Sequence, residues 1–267
     1  MSAEPVTGTG LHSRDEGIQV AVDGTRVDIR LARPEVRNAQ TPAMWRALAD
    51  LGAQIPDVDP VPVAIVVSGE GAGFSSGLDR RMFTPDGIPG EPTFIDLAGH
   101  PDAGLDDFII QAQAAFRWWR MVDPVTIAVV HGHAIGAGFQ LALACDLIIA
   151  HEDAVFAMRE TSWGLVPDLG GTLPLVRGAG YALALEACAT GREISAGELH
   201  RWGLALEPAS DPHAVATEMI DRLATTPPGA VAGLKHLLGG IDDRDGQMLR
   251  ERLAQRDRLR AMARLMG

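Results

Sequence analysis

Residues 127–150 read IAVVHGHAIGAGFQLALACDLIIA. A β-branched apolar run ends at Gly132, and the small residues Gly136-Ala137-Gly138 permit a tight turn. A helix starts at once, and a second apolar run follows at 147–150. Short, continuous apolar strands joined through a helix belong to a sheet buried on both faces, which makes the fold class α/β. The start of a helix also carries N–H groups with no partner inside the helix and the positive end of its macrodipole. A developing oxyanion is best stabilised there. The plainer alternative is a tight connection whose glycines serve packing alone.

Working outward, a second glycine turn stands upstream at Gly73-Phe74-Ser75-Ser76-Gly77-Leu78-Asp79, just after an apolar strand read over 61–67. Two such turns can each supply one N–H to a single oxygen. Downstream, residues 156–172 read FAMRETSWGLVPDLGGT and place Glu160 and Asp168 in an irregular, glycine-flanked stretch. Beside Trp163, Leu165 and Val166 these carboxyls are expected to be partly desolvated, which raises a carboxyl pKa toward a useful acid/base range. Isolated carboxylates more commonly serve as surface charges or caps.

The rest of the chain gives strand-strand-helix units and a helical tail. Residues 18–23 and 26–31 alternate as a hairpin around Asp23-Gly24. Thr41-Pro42 opens a helix with Met44, Leu48, Leu51 and Ile55 on one face. Residues 83–104, rich in Pro, Gly and Asp, read as a long mobile loop, and loops of that length are usually functional. A helix is expected over 107–121, with Phe108, Ala112, Phe116 and Trp119 on one face. Ser195 to Glu198 reads as a capping box, Asp211-Pro212 opens another helix, and the arginine-rich stretch after Asp242 is helical in propensity.

Composition removes several classes of function. A formal net charge of −12 speaks against nucleic-acid binding through a general basic field, so an anionic substrate needs local arginines. Cys145 and Cys188 have no metal or redox spacing, and a reducing, cytoplasmic location is expected. Residues 1–17 carry Glu4, Asp15 and Glu16 and no apolar core, unlike a signal peptide. The longest apolar run is broken by Gln140 and Asp146, and no membrane association is expected. Lys235 is the only lysine; codon usage accounts for such a bias.

Together the three segments resemble the crotonase (enoyl-CoA hydratase/isomerase) family over about 20–238, including a loop Arg33-Pro34-Glu35-Val36-Arg37-Asn38-Ala39 that looks like that family's coenzyme A loop. The resemblance implies an α/β spiral of β-β-α units over 1–200 and a helical, oligomerising region over 201–267. It implies an acyl-CoA thioester as substrate, with coenzyme A present only as part of it, no other cofactor, no metal, and a homotrimer or hexamer. The N–H groups of Leu78 and Ala137 would form the oxyanion hole, shaped by Gly136 and Gly138. Arg33, Val36, Arg37, Ser76, Gly77, Asp79 and Pro167 would contact the substrate. Family hydratases carry two glutamates. The second matches Glu160, whereas the first position holds Gln140, an amide that can hold a water and cannot exchange a proton with it. A single-glutamate proton shuttle is therefore expected, with Asp168 a second candidate because some dienoyl-CoA isomerases place a catalytic aspartate there. Loss of one glutamate also fits a non-catalytic acyl-CoA binder.

Two other signals point elsewhere. Gly73-Phe74-Ser75-Ser76-Gly77 fits G-x-S-x-G, and Asp168 or Asp211 with His213 or His236 would complete a serine-hydrolase order with Ser75 as nucleophile, but residues 78–81 lead into a loop where that elbow needs a helix. His131-Gly132-His133 has no third ligand at useful spacing and reads as structural.

Overall fold

The computed structural model describes residues 16–226 and 229–239, with residues 246, 248, 249, 252, 253, 255–257, 259 and 260 beyond them. The chain opens with β1 (Ile18–Asp23) and β2 (Arg26–Leu31), then α1 (Pro42–Gln54) and β3 (Ala64–Gly69). After the glycine-rich loop come α2 (Phe94–Gly99), α3 (Asp102–Arg117), β4 (Val125–Val130), β5 (His133–Ile135), α4 (Ala137–Ala144), β6 (Leu147–Ala150) and β7 (Val155–Ala157). The remainder runs through α5 (Thr172–Ala179), α6 (Tyr181–Thr190), β8 (Ile194–Ser195), α7 (Ala196–Arg201), α8 (Pro212–Ala224) and α9 (Ala230–Gly239). The division expected at residue 200 falls within α7. The stretch after Asp242 lies largely outside the described residues.

Two sheets carry the fold. The larger has the order β1-β2-β3-β4-β6, antiparallel at the first pair and parallel thereafter. Its register aligns Ile29 with Val67, Val67 with Ala128, and Ala128 with Ile148, and this row is buried in the main core with Met44, Leu48 and Phe116. The opposite face, through Val66, Ile127 and Ile149, packs on Ala216 and Ile220 of α8. Both faces are covered, so the central strands need no polar alternation. The smaller sheet, β5-β7-β8, carries one wall of the site described below.

Local chemistry explains the helix starts. The Thr41 hydroxyl accepts the Met44 N–H at 3.2 Å, with Pro42 at the first helical position. Four expectations are corrected. Strand β3 begins at Ala64, and Val61 is exposed, because Pro62 has no N–H to give a ladder. Residues 83–104 contain α2, opened by a capping box in which Thr93 and Asp96 exchange hydrogen bonds of 3.0 and 3.1 Å. Helix α3 starts at Asp102, after Pro101, and ends at Arg117, so Trp119 lies beyond it. Only half of the expected box at Ser195 forms. Ser195 accepts the Glu198 N–H, but Arg192 holds the Glu198 carboxylate at 2.7 Å. Trp118 and Trp119 stack at 4.0 Å, with Trp119 in the core. Among the described residues no helix is long and apolar enough to cross a membrane.

Lys235 has more weight than its rarity suggested. Its ammonium, on α9, donates to Asp146 at 2.7 Å and to the carbonyls of Trp119 and Pro124 at 3.1 and 2.7 Å. Asp146 also accepts the N–H and hydroxyl of Thr126 at 2.8 and 3.0 Å. This pair, with side chains 8% and 18% exposed, fastens α9 to the start of β4 and to the segment between α4 and β6. Breaking a buried pair by removing one partner typically costs about 3 kcal/mol, since the other charge stays buried. Lys235→Met is therefore expected to lower thermal stability by that order, and adding Asp146→Asn should recover part of it. A Lys235→Met protein that melts with the parent would contradict this.

Candidate active site

The centre of the site is the turn between β5 and α4. Gly136 has φ 52° and ψ −119° and donates its N–H to the Ala157 carbonyl at 2.8 Å. A side chain there would be strained, and its Cβ would stand 3.3 Å from Glu160 Oε1. Ala137 is the first residue of α4, so its N–H has no carbonyl within the helix to receive it. Gly138 packs so closely on the upstream turn that a Cβ would lie 2.7 Å from the Ser75 carbonyl. Ser75 pairs with Ala134, and a Cβ on Gly77 would fall 2.4 Å from the Ile135 carbonyl and 3.4 Å from Ala137 N. The two glycine turns that stand about 60 residues apart in sequence are thus in contact.

The upstream turn is held on both sides of Leu78. The Gly77 carbonyl accepts the Gln40 N–H at 2.7 Å, the Gly77 N–H donates to Ser75 Oγ at 3.2 Å, and the Asp79 N–H donates to the Gln40 carbonyl at 2.8 Å. Among the described residues these contacts leave the Leu78 N–H unused. Behind them lies a buried polar network that sequence reasoning missed. Asn38, with φ 53°, donates to the carbonyls of Glu70 and Gly73 at 2.8 and 2.9 Å and accepts the Arg33 N–H at 2.9 Å. Trp45 donates to Gln40 Oε1 at 2.9 Å, and Gln40 donates to Ser75 Oγ at 3.3 Å. Ser75 donates to the Asn38 carbonyl at 2.7 Å. Its hydroxyl is buried and committed, and the nucleophile-elbow alternative fails on that ground. Nothing in the sequence singles Asn38 and Gln40 out of the polar approach to α1, which reads RPEVRNAQT over 33–41.

Arg33 and Asp79 stand behind the turn and face each other. The guanidinium reaches the Asp79 carboxylate at 3.2 Å and the Ala39 carbonyl at 2.5 Å, and Arg81 donates to Asp79 at 2.8 Å. Burial alone would push the Asp79 carboxyl up, but hydrogen bonds from Arg81 and Arg33 hold it below the usual carboxylate range. Val36 lies exposed on a 3₁₀ turn (Pro34–Val36). Pro167 is buried, and it lies outside the lining of the cavity, as do Gly138, Arg33, Val36 and Asp79.

That cavity, about 370 Å³, gathers the other candidates: Arg37, Ser76, Gly77 and Leu78 from the upstream side, then Gly136, Ala137, Gln140, Glu160 and Asp168. Its apolar wall includes Phe83, Phe94, Phe108, Ile109 and Leu165, and Gln255 and Leu259 reach it from the C-terminal stretch. Gln140 makes three hydrogen bonds. Its Nε2 donates to Glu160 Oε1 at 2.8 Å, and its Oε1 accepts the N–H groups of Leu169 and Gly171 at 2.9 and 3.3 Å. It thus orients Glu160, which opens a 3₁₀ turn (Glu160–Trp163). Asp168 lies on the strap that Gln113 holds, its carbonyl accepting at 2.7 Å. His131 contacts the Gly71 carbonyl at 2.9 Å, as a structural residue would. His133 lines the cavity beside Arg37, where burial, then Arg37 and His131, hold its imidazole below its usual pKa. Among the described residues no group of carboxylates, histidines and cysteines could hold a metal ion.

The chain is similar to known proteins of one family. Residues 97–256 match the model of the enoyl-CoA hydratase/isomerase family. A carnitinyl-CoA dehydratase of Salmonella enteritidis is 32% identical over 224 residues, 83% of this chain and 80% of the relative. A Thermobifida fusca structure assigned as an enoyl-CoA hydratase, solved with acetoacetyl-CoA, is 38% identical and superposes with a TM-score of 0.78 over 94% of this chain and 95% of the other. An enoyl-CoA hydratase/isomerase structure from Mycobacterium paratuberculosis reaches 0.82 at 25% identity, over 94% and 99%. The chain belongs to the crotonase superfamily, as an enzyme of the enoyl-CoA hydratase/isomerase family.

Proposed function

We propose that this protein moves a proton on an acyl-CoA thioester, with the carbonyl oxygen between the N–H groups of Leu78 and Ala137 and Glu160 as the proton shuttle. The observation that carries the reading is the place of Glu160, whose carboxylate oxygen lies 3.3 Å from where a Gly136 Cβ would be, one residue before the first amide of α4. A proton taken from the α-carbon leaves its electron pair in an enolate, with charge on the thioester oxygen. Two fixed N–H donors at a helix start stabilise that charge, each donor typically by about 3 kcal/mol in barrier height. Glu160 then returns the proton, to the γ-carbon in a double-bond shift. The neutral Gln140 favours this one-carboxylate chemistry over addition of water. The acetoacetyl-CoA held by the Thermobifida fusca structure supports a coenzyme A thioester as ligand. A trimeric or hexameric assembly in the cytoplasm is part of the same reading.

A panel of enoyl-CoA positional isomers, followed by ultraviolet absorbance and product mass, tests it. Glu160→Gln is expected to lower turnover by about a hundredfold or more while acyl-CoA affinity stays near the parent's. Near-normal turnover in that variant would remove Glu160 from the mechanism, and affinity without turnover in the parent would make the protein a binder.

Gln140→Glu makes a sharper test. One oxygen of the new carboxylate would still accept from Leu169 and Gly171. The other would replace an N–H donor 2.8 Å from Glu160. Two carboxylates so close cannot both ionise, so the pair would share a proton as a hydratase acid/base couple does. The unaltered protein is expected to hydrate crotonyl-CoA poorly, and the variant to gain about tenfold or more. Fast hydration by the parent with no gain in the variant would show that the amide is no handicap.

A further inference from the structure

Many of the described arginines are tied to carboxylates, as Arg33, Arg46, Arg81, Arg159 and Arg192 show. Arg80 is different. Among the described residues no carboxylate lies within ion-pair reach of it, and its guanidinium sits over the Trp163 ring, 5.4 Å from the centroid. Trp163 is fixed in turn, stacked on Phe83 at 4.9 Å and 28°, and Phe83 meets Phe94 edge-on at 4.8 Å. Arg80, Phe83, Phe94 and Trp163 all line the reaction cavity. Arg80, Arg159 and Trp163 also line an adjoining hollow of about 420 Å³, with Ser162 and Thr190. Trp163 is therefore a wall shared by two chambers, with a cation resting on it.

Its seat on the Trp163 ring sets this cation apart from Arg37, the other arginine of the cavity without a carboxylate partner among the described residues. The register pairs His133 with Val155 and Ile135 with Ala157, so β5 and β7 run together toward Gly136. Arg37, on the 33–39 loop, lines the cavity with His133. Arg159 lies two residues past the end of β7, immediately before Glu160. Arg80 follows Leu78 by two residues and Arg159 precedes Glu160, so both stand next to the residues that carry the proposed chemistry.

We propose that the site selects thioesters whose acyl chain ends in an anionic group, a carboxylate above all, received by Arg80 at the Trp163 wall. This rests on the reading of the site as an acyl-CoA site and names its substrate class. A guanidinium offers a planar fork of N–H donors that matches a carboxylate bidentately. The aromatic face beneath Arg80 keeps it oriented without neutralising it. An anion drawn into a chain of net charge −12 needs such a local cation. A trimethylammonium tail would meet the same charge and be repelled.

The test uses three enoyl-CoA thioesters matched in length and ending in a methyl, a carboxylate or a trimethylammonium group. kcat/KM is measured for each with the full chain and with Arg80→Gln. Arg80 is exposed, so folding of the variant is not at issue. The carboxylate is expected to be favoured over the methyl by about tenfold or more, the trimethylammonium to be poorest, and the preference to collapse toward one in Arg80→Gln. Calorimetric affinities for the saturated counterparts give the same ratio for thioesters that are bound without turnover. A ratio at or below one in the parent, or one that survives Arg80→Gln, overturns the proposal. So does an equal loss on all three, which would assign Arg80 to coenzyme A. Neutral thioesters handled without preference would sink this inference alone, whereas failure to bind any acyl-CoA would sink the proposed function with it.

Discussion

Gly136 turns the chain from β5 into α4 with φ 52° and ψ −119°, a conformation open to glycine and strained for a residue with a Cβ. Three consequences follow from that one turn. The amide of Ala137 becomes the first of a helix and has no internal acceptor. The space where a side chain would stand is left for the Glu160 carboxylate. The helix that follows is buried almost all round, so its start is held by packing on every side. An amide held rigidly by a core loses no reorganisation energy when charge develops in front of it, which is what makes a backbone donor effective.

The proposed second donor, the Leu78 N–H, depends on longer-range order. Leu78 lies in no regular element, and its orientation comes from hydrogen bonds to Gln40 and Ser75 on either side and from Asn38 beneath. Asn38 and Arg37 both take positive φ without being glycine, and such strain persists only where surrounding contacts over-determine it. The hydrogen bonds of Asn38 to Glu70, Gly73 and Arg33 supply that determination, and Arg33 is held in turn by Asp79. Asp79 stays ionised because its guanidinium partners outweigh the cost of its burial. Its folded-state pKa is depressed, so its contribution is present above the unfolded value and is lost as pH falls into the acid range.

Much of this was legible in the sequence, for identifiable reasons. The buried strands show as continuous apolar runs because both sheet faces are covered, and the glycine turns show because their backbone angles exclude other residues. The partners did not show. Gln140 meets the amides of Leu169 and Gly171 from 29 and 31 residues away, and Arg33 meets Asp79 across 46; spacing in the chain carries no trace of either. Gln140 was legible as a missing acid, but the two hydrogen bonds it accepts and the one it donates to Glu160 were not. Helix α2 was hidden inside a Pro- and Gly-rich stretch, although Thr93 and Asp96 stand at capping-box spacing. Lys235 looked like a compositional accident until the fold set it on Asp146.

The central claim is that Glu160 takes the α-proton of a thioester whose oxygen is held by the Leu78 and Ala137 amides. A saturated acyl-CoA incubated with the protein in D₂O isolates that step, because exchange at the α-carbon needs enolate formation and no later chemistry. Mass spectrometry should show deuterium entering the acyl group with the unaltered protein, and Glu160→Gln should slow that exchange by about a hundredfold. Exchange at the same rate in both proteins would contradict the account, since the proton would then be leaving to some other base.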